Sequence, residues 1–71
     1  MPTDVEAHIT GTVFKVETTA GAQVAEGDVL VILESMKMEM PIEAPVSGTV
    51  SEVRVQEGES VDEGQVLVVL D

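Results

Sequence analysis

The stretch "ESMKMEM", residues 34–40, holds a lysine between two methionines, with Glu34 three residues before it and Glu39 two residues after. A primary amine can attack as a nucleophile or receive an acyl group. A catalytic lysine needs an apolar pocket or a cationic neighbour to free its lone pair, and Lys37 has carboxylates on both sides instead. Lys37 therefore reads as an acceptor, for which another enzyme supplies the electrophile and the base. Met36 and Met38 offer flexible apolar contact beside it, and Glu34 and Ser35 complete the frame upstream. The remaining residues offer no competing chemistry. His8 is the sole histidine and the chain has no cysteine, so no metal site is expected. The serines lack a His/Asp set. The acids from Glu57 to Glu63 lack EF-hand spacing and read as a solvated turn, and neither a GxGxxG fingerprint nor a phosphate loop is present. The chain reads as a non-enzyme that carries something on Lys37.

What must hold such a lysine is a hairpin. Residues 29–35 are rich in Val, Ile and Leu, and residues 38–43 alternate Met, Met and Ile with Glu, Pro and Glu, the pattern of strands. They would be joined antiparallel by a two-residue turn at Met36 and Lys37. Such turns favour Asn-Gly or Asp-Gly, which tolerate positive φ, so Met-Lys breaks a local rule, and rule-breaking residues tend to sit at functional sites.

The hairpin lies within an internal repeat. "GTVFKVETTAGAQVAEGDVLVILE" returns 37 residues later as "GTVSEVRVQEGESVDEGQVLVVLD", giving half-repeats 11–34 and 48–71. Gly11, Val13, Gly21, Gly27 and Leu33 meet Gly48, Val50, Gly58, Gly64 and Leu70. Two copies of one unit, each unable to bury its apolar face alone, must pack on each other. Further strands are expected over residues 5–9, 12–17, 48–55 and 65–70. Residues 20–28 and 57–65, with their glycines and acids, read as turns around very short strands at Val24 and Val61. Pro41 and Pro45 cannot donate to a ladder and belong at a strand edge or end. The architecture is all-β: two small sheets packed face to face with approximate two-fold symmetry. Glu34 aligns with Asp71, so the chain end should occupy in one sheet the place that the Met36–Lys37 connection occupies in the other.

Length and charge narrow the partners. A chain of 71 residues makes one small domain, spanning 1–71. With Lys+Arg 3 against Asp+Glu 14, a net charge of -11 repels phosphate backbones and anionic lipid, so neither nucleic acid nor a membrane surface is expected as partner. A protein with a basic docking face suits it. Absent cysteines and the lack of a charged-then-apolar leader fit a cytoplasmic protein, and the charge makes a monomer the expectation for the isolated chain.

"ESMKMEMPIEAPVSGTV" resembles the attachment signature of biotinyl carrier domains in the biotin/lipoyl attachment family: Glu-Ala-Met-Lys-Met, an apolar stretch, then Ala-Pro and Gly. The resemblance extends over nearly the whole chain, through the repeat and the glycine spacing, and a chain of this length is similar to the small biotinylated proteins of actinobacteria. In the related lipoyl domains the lysine usually follows Asp and precedes Ala, so Met36 and Met38 favour biotin. The resemblance implies a flattened β-barrel or sandwich of two four-stranded antiparallel sheets, the barrel-sandwich hybrid, with Lys37 at an exposed turn. It implies covalent biotin on Lys37, framed by Glu34, Ser35, Met36 and Met38. It also implies three partners: a biotin protein ligase, a biotin carboxylase, and a carboxyltransferase that passes the carboxyl group to an acyl-CoA or keto acid. The domain would supply effective concentration, a tethered cofactor meeting two active sites. Two alternatives stand beside this: a biotin-accepting protein that buffers cofactor or regulates a partner, and a lipoyl carrier. The chain departs from the family pattern at Ser35, where Ala is commonest. It departs again at "AHITGTV", where many members have Ala-Pro-Met-Pro-Gly in the loop expected to face the attachment hairpin.

Overall fold

The computed structural model describes residues 2–71, which form eight strands: β1 (Thr3–Glu6), β2 (Gly11–Val16), β3 (Gln23–Val24), β4 (Val29–Ser35), β5 (Met38–Glu43), β6 (Gly48–Val53), β7 (Ser60–Val61) and β8 (Val66–Leu70). They assemble into two four-stranded antiparallel sheets, ordered β1-β8-β6-β3 and β5-β4-β2-β7. Each sheet mixes strands of both repeat copies: in one, β8 and β6 of the second lie beside β3 of the first, with β1 at the other edge. Neither copy completes a sheet alone, which is how the apolar faces that each leaves open become covered.

Between the sheets lies an all-apolar core. Leu30, Leu33, Ile42, Leu67 and Leu70 are its largest buried side chains, and among the described residues no polar or charged one is buried with them. Burying one such side chain stabilises the fold by about 1.5–3 kcal/mol. The core therefore carries the stability, and the surface is free to carry charge.

The backbone hydrogen bonds repeat with the sequence. The Ala7 N–H donates to the Gln65 carbonyl and the Gly64 N–H to the Ala7 carbonyl, both at 2.9 Å; correspondingly, Ala44 donates to Asp28 at 2.8 Å and Gly27 to Ala44 at 2.9 Å. Gly27 and Gly64 make these turns at φ 93 and 88, a region that costs an L side chain but not glycine. The ladders bulge in step as well, between Val13 and Lys15 in one copy and between Val50 and Glu52 in the other.

Strands over 29–35 and 38–43 stand where the sequence places them. Pro41 lies on β5, an edge strand, and Pro45 follows its end. The first strand differs: in place of 5–9 it runs over Thr3–Glu6. Pairing with β8 shifts register between Val5 and Glu6, and the Ala7 backbone is then taken by the turn at Gly64 and Gln65. Strand β6 ends at Val53 rather than at residue 55, with the Arg54 N–H donating to Leu67 at 2.8 Å as the chain leaves.

Candidate functional site

Strands β4 and β5 pair continuously up to their tip, Leu33 against Met40, Glu34 against Glu39, Ser35 against Met38. Two residues remain to reverse the chain, Met36 at φ 53 and Lys37 at φ 64. Positive φ at both central positions marks the type I′ turn, whose twist matches that of the strands. For a residue with a Cβ this conformation costs about 1–2 kcal/mol. Met36 and Lys37 are the described non-glycine residues that adopt it. The ladder beneath, anchored by buried Val31, Leu33 and Ile42, offsets the strain, so the turn is held up by the core and not by its own residues.

The turn is held from the side as well. A Cβ on Gly11 would lie 2.6 Å from the Glu34 carbonyl oxygen, so β2 can lie this close to the turn-bearing strand only with glycine there. Sequence reasoning overlooks this role of Gly11. The available signal was its repeat mate Gly48, where a Cβ would lie 2.9 Å from the Asp71 carbonyl oxygen.

At the tip the side chains stand in solvent. Lys37 is exposed, Met36 is 92% exposed and Met38 59%. The methionines grade inward: Met38, Met40 and Ile42 alternate onto one face of β5, exposed, half-buried and buried in turn. None of Met36, Met38 and Met40 belongs to the buried core, which leaves Met36 and Met38 as contact surface. Glu34 and Glu39 are exposed and directly opposed across the hairpin, a like-charge pair that disfavours the ladder. Ser35 is half-buried beside the turn. The fold thus brings Glu34, Ser35, Met36, Lys37 and Met38 together in one protruding tip.

Of the three Lys and Arg side chains, Lys15 pairs with Glu17 at 3.3 Å and Arg54 with Glu52 at 2.7 Å. Among the described residues Lys37 has no carboxylate within ion-pair distance, so its amine is open to an incoming enzyme. The loop over residues 7–10 leads into β2 at Gly11, level with the last residues of β4. Ala7 is buried and bonded to the turn before β8, and the Thr10 hydroxyl oxygen accepts the Glu63 N–H at 3.3 Å. Gly11, at its end, abuts Glu34 and Ser35 just before the turn.

A model of the biotin/lipoyl family, described as biotin-requiring enzyme, matches residues 1–70. The chain is 52% identical over 42 residues to a homolog of biotinylated protein TB7.3 from Mycobacterium leprae, covering 59% of each. It is 48% identical over 38 residues to a biotin/lipoyl attachment protein of Bacillus subtilis, covering 54% of this chain and 52% of the other. These matches span less than two thirds of either relative. Among solved structures it is similar to part of a single-chain, multi-domain long-chain acyl-CoA carboxylase, with 35% identity and a TM-score of 0.90 over 96% of this chain and 7% of that one. It is also similar to part of the Kluyveromyces lactis urea carboxylase, with 30% identity and a TM-score of 0.94 over 100% of this chain and 6% of that one. An all-β fold of two four-stranded sheets, a lysine raised on a strained turn and a family match from end to end converge: the chain belongs to the biotin/lipoyl attachment family, with biotin as its covalently held cofactor.

Proposed function

We propose that Lys37 is the residue that carries biotin and that the protein is a carboxyl carrier serving a biotin-dependent carboxylase. The observation that carries this reading is the positive-φ turn at Met36 and Lys37, which lifts an exposed amine clear of a rigid sandwich with no carboxylate pairing it. An amine so placed suits acylation by an external ligase: it displaces the nucleotide from an acyl-adenylate, loses a proton and forms an amide. Met36 and Met38 flank it with apolar surface that adapts to more than one partner. The domain itself breaks no bonds.

Bound biotin supplies a ring nitrogen that accepts and gives up a carboxyl group. The protein's part is to present it: the hairpin is stiff, the lysine side chain is flexible, and attachment keeps the cofactor at high local concentration near two active sites. The resemblance to segments of an acyl-CoA carboxylase and a urea carboxylase supports a carboxylase setting. The acidic surface suits partners with basic docking faces, a ligase, a biotin carboxylase and a carboxyltransferase, in a cytoplasmic setting. No helix among the described residues is long and apolar enough to cross a membrane.

The test is carboxyl transfer. Protein biotinylated on Lys37 is incubated with biotin carboxylase from the same cells, ATP and labelled bicarbonate, and protein-bound label is counted. Label that depends on both ATP and Lys37 is expected; a biotinylated protein that takes no label from any carboxylase of its own cell contradicts the carrier reading and leaves a biotin-holding regulator.

A further inference from the structure

The repeat provides an internal control for the outer faces of the two sheets. On the lysine-bearing sheet, Ile32 and Pro41 alternate with buried Leu33 and Ile42 and so point outward, and Phe14, at the β2 bulge beside buried Val13, is exposed with them. Ile32 is in register with Pro41 on one side and with Lys15, next to Phe14, on the other. Phe14 at the bulge, Ile32 and Pro41 give one row across β2, β4 and β5 that is apolar but for Lys15. Phe14 is the only aromatic residue of the chain, and it is 48% exposed.

The same row on the other sheet is Ser51, Val69 and Asp4, in matching register. Phe14 and Ser51 occupy the same bulge, and the Ser51 hydroxyl donates to the Val69 carbonyl at 3.1 Å. The bulge therefore forms well with a small polar residue, and folding does not require an aromatic ring there. A single exposed hydrophobe is ordinary. An apolar row on the face that leads to Lys37, replaced by Ser and Asp on its twin, is a feature of one sheet and not of the fold.

We propose that this row is the docking face for the carboxylase component that works on the Lys37 arm, a protein offering an apolar pocket rimmed by Lys or Arg. The rim follows from charge: Glu34, Glu39 and Glu43 border the row, and the one cation beside it, Lys15, is already paired with Glu17. A second copy of this chain, at net charge -11, offers no such rim and would be repelled. The position follows from continuity: β4 and β5 run from this row directly to the turn, so a protein seated here has Lys37 beside it. This inference rests on the carrier reading above.

The experiment gives one face the residues of its twin. Biotinylated wild type, Phe14→Ser, Pro41→Asp and the double variant are compared as substrates of the biotin carboxylase with ATP and bicarbonate. Thermal melting confirms the fold of each, and Phe14→Leu serves as the apolar control. KM for the carrier should rise at least tenfold in Phe14→Ser and further in the double variant, with kcat within twofold, biotinylation by the ligase unchanged and Phe14→Leu near wild type. Wild-type KM should also rise with salt. An unchanged KM, a loss confined to kcat, or an equal loss of ligase rate overturns the assignment. If wild type itself takes no carboxyl group, the carrier reading fails and this inference with it; if wild type is carboxylated and the variants match it, only the docking face fails.

Discussion

In the sheet β5-β4-β2-β7, strands β4 and β5 are joined by the Met36–Lys37 turn; at the corresponding place in β1-β8-β6-β3, the first and last strands lie side by side, Thr3 against Leu70. Beneath these two ends the molecule is nearly the same twice over, in register, bulges, turn hydrogen bonds and glycines. The repeated part is the part that buries apolar surface. Where the two copies differ, the turn departs from what local stability favours and the outer row through Phe14 leaves apolar surface in solvent, as expected where surface serves a partner.

If the scaffold is shared, matched core truncations should cost alike. Leu33→Ala and Leu70→Ala, at sites 0% and 1% exposed, are each expected to lose about 2–5 kcal/mol by urea denaturation. A gap between them of more than about 2 kcal/mol would break the comparison.

Smaller effects should separate the two ends. Gly11→Ala drives a methyl against the Glu34 carbonyl within a continuous hairpin, whereas Gly48→Ala meets the carbonyl of Asp71, the residue after β8. Overpacking of this kind costs about 1–3 kcal/mol. The cost should lie toward the upper end at Gly11, where the added methyl would sit 2.6 Å from the carbonyl oxygen, and toward the lower at Gly48, where it would sit at 2.9 Å. Equal shifts in urea midpoint would mean that the closer approach at Gly11 carries no extra cost.

Smallest and opposite in sign is the turn itself. Replacing Met36 and Lys37 by Asn and Gly relieves two strained residues and should raise stability by about 1 kcal/mol while removing the acceptor. A lowered melting temperature would show that the native turn stores no strain.

Much of this was legible because it is local. β-branching marks β4 and alternation marks β5, and the Met-Lys pair between them gives away a two-residue turn. Glycine spacing likewise gave the tight turns at Gly27 and Gly64. The first strand was harder: whether residues 7–10 continue it depends on the Gly64–Gln65 turn, far along the chain, capturing the Ala7 backbone. Nor does periodicity show a bulge. Strict alternation would place Phe14 and Lys15 on opposite faces, yet both are exposed because the ladder skips between Val13 and Lys15. At the candidate site, the two-residue turn at Met36 and Lys37 was readable from the strands on either side; the close approach of Gly11 was not, since it is made across strands.

The most direct measurement is intact mass with peptide mapping, on wild type and Lys37→Arg produced in cells with an active biotin ligase. Wild type should gain one biotinyl group located on Lys37, and the variant should melt as wild type does and gain none, because a guanidinium is no acyl acceptor. A biotinyl group on Lys15, a lipoyl increment in its place, or an unmodified Lys37 would contradict the account.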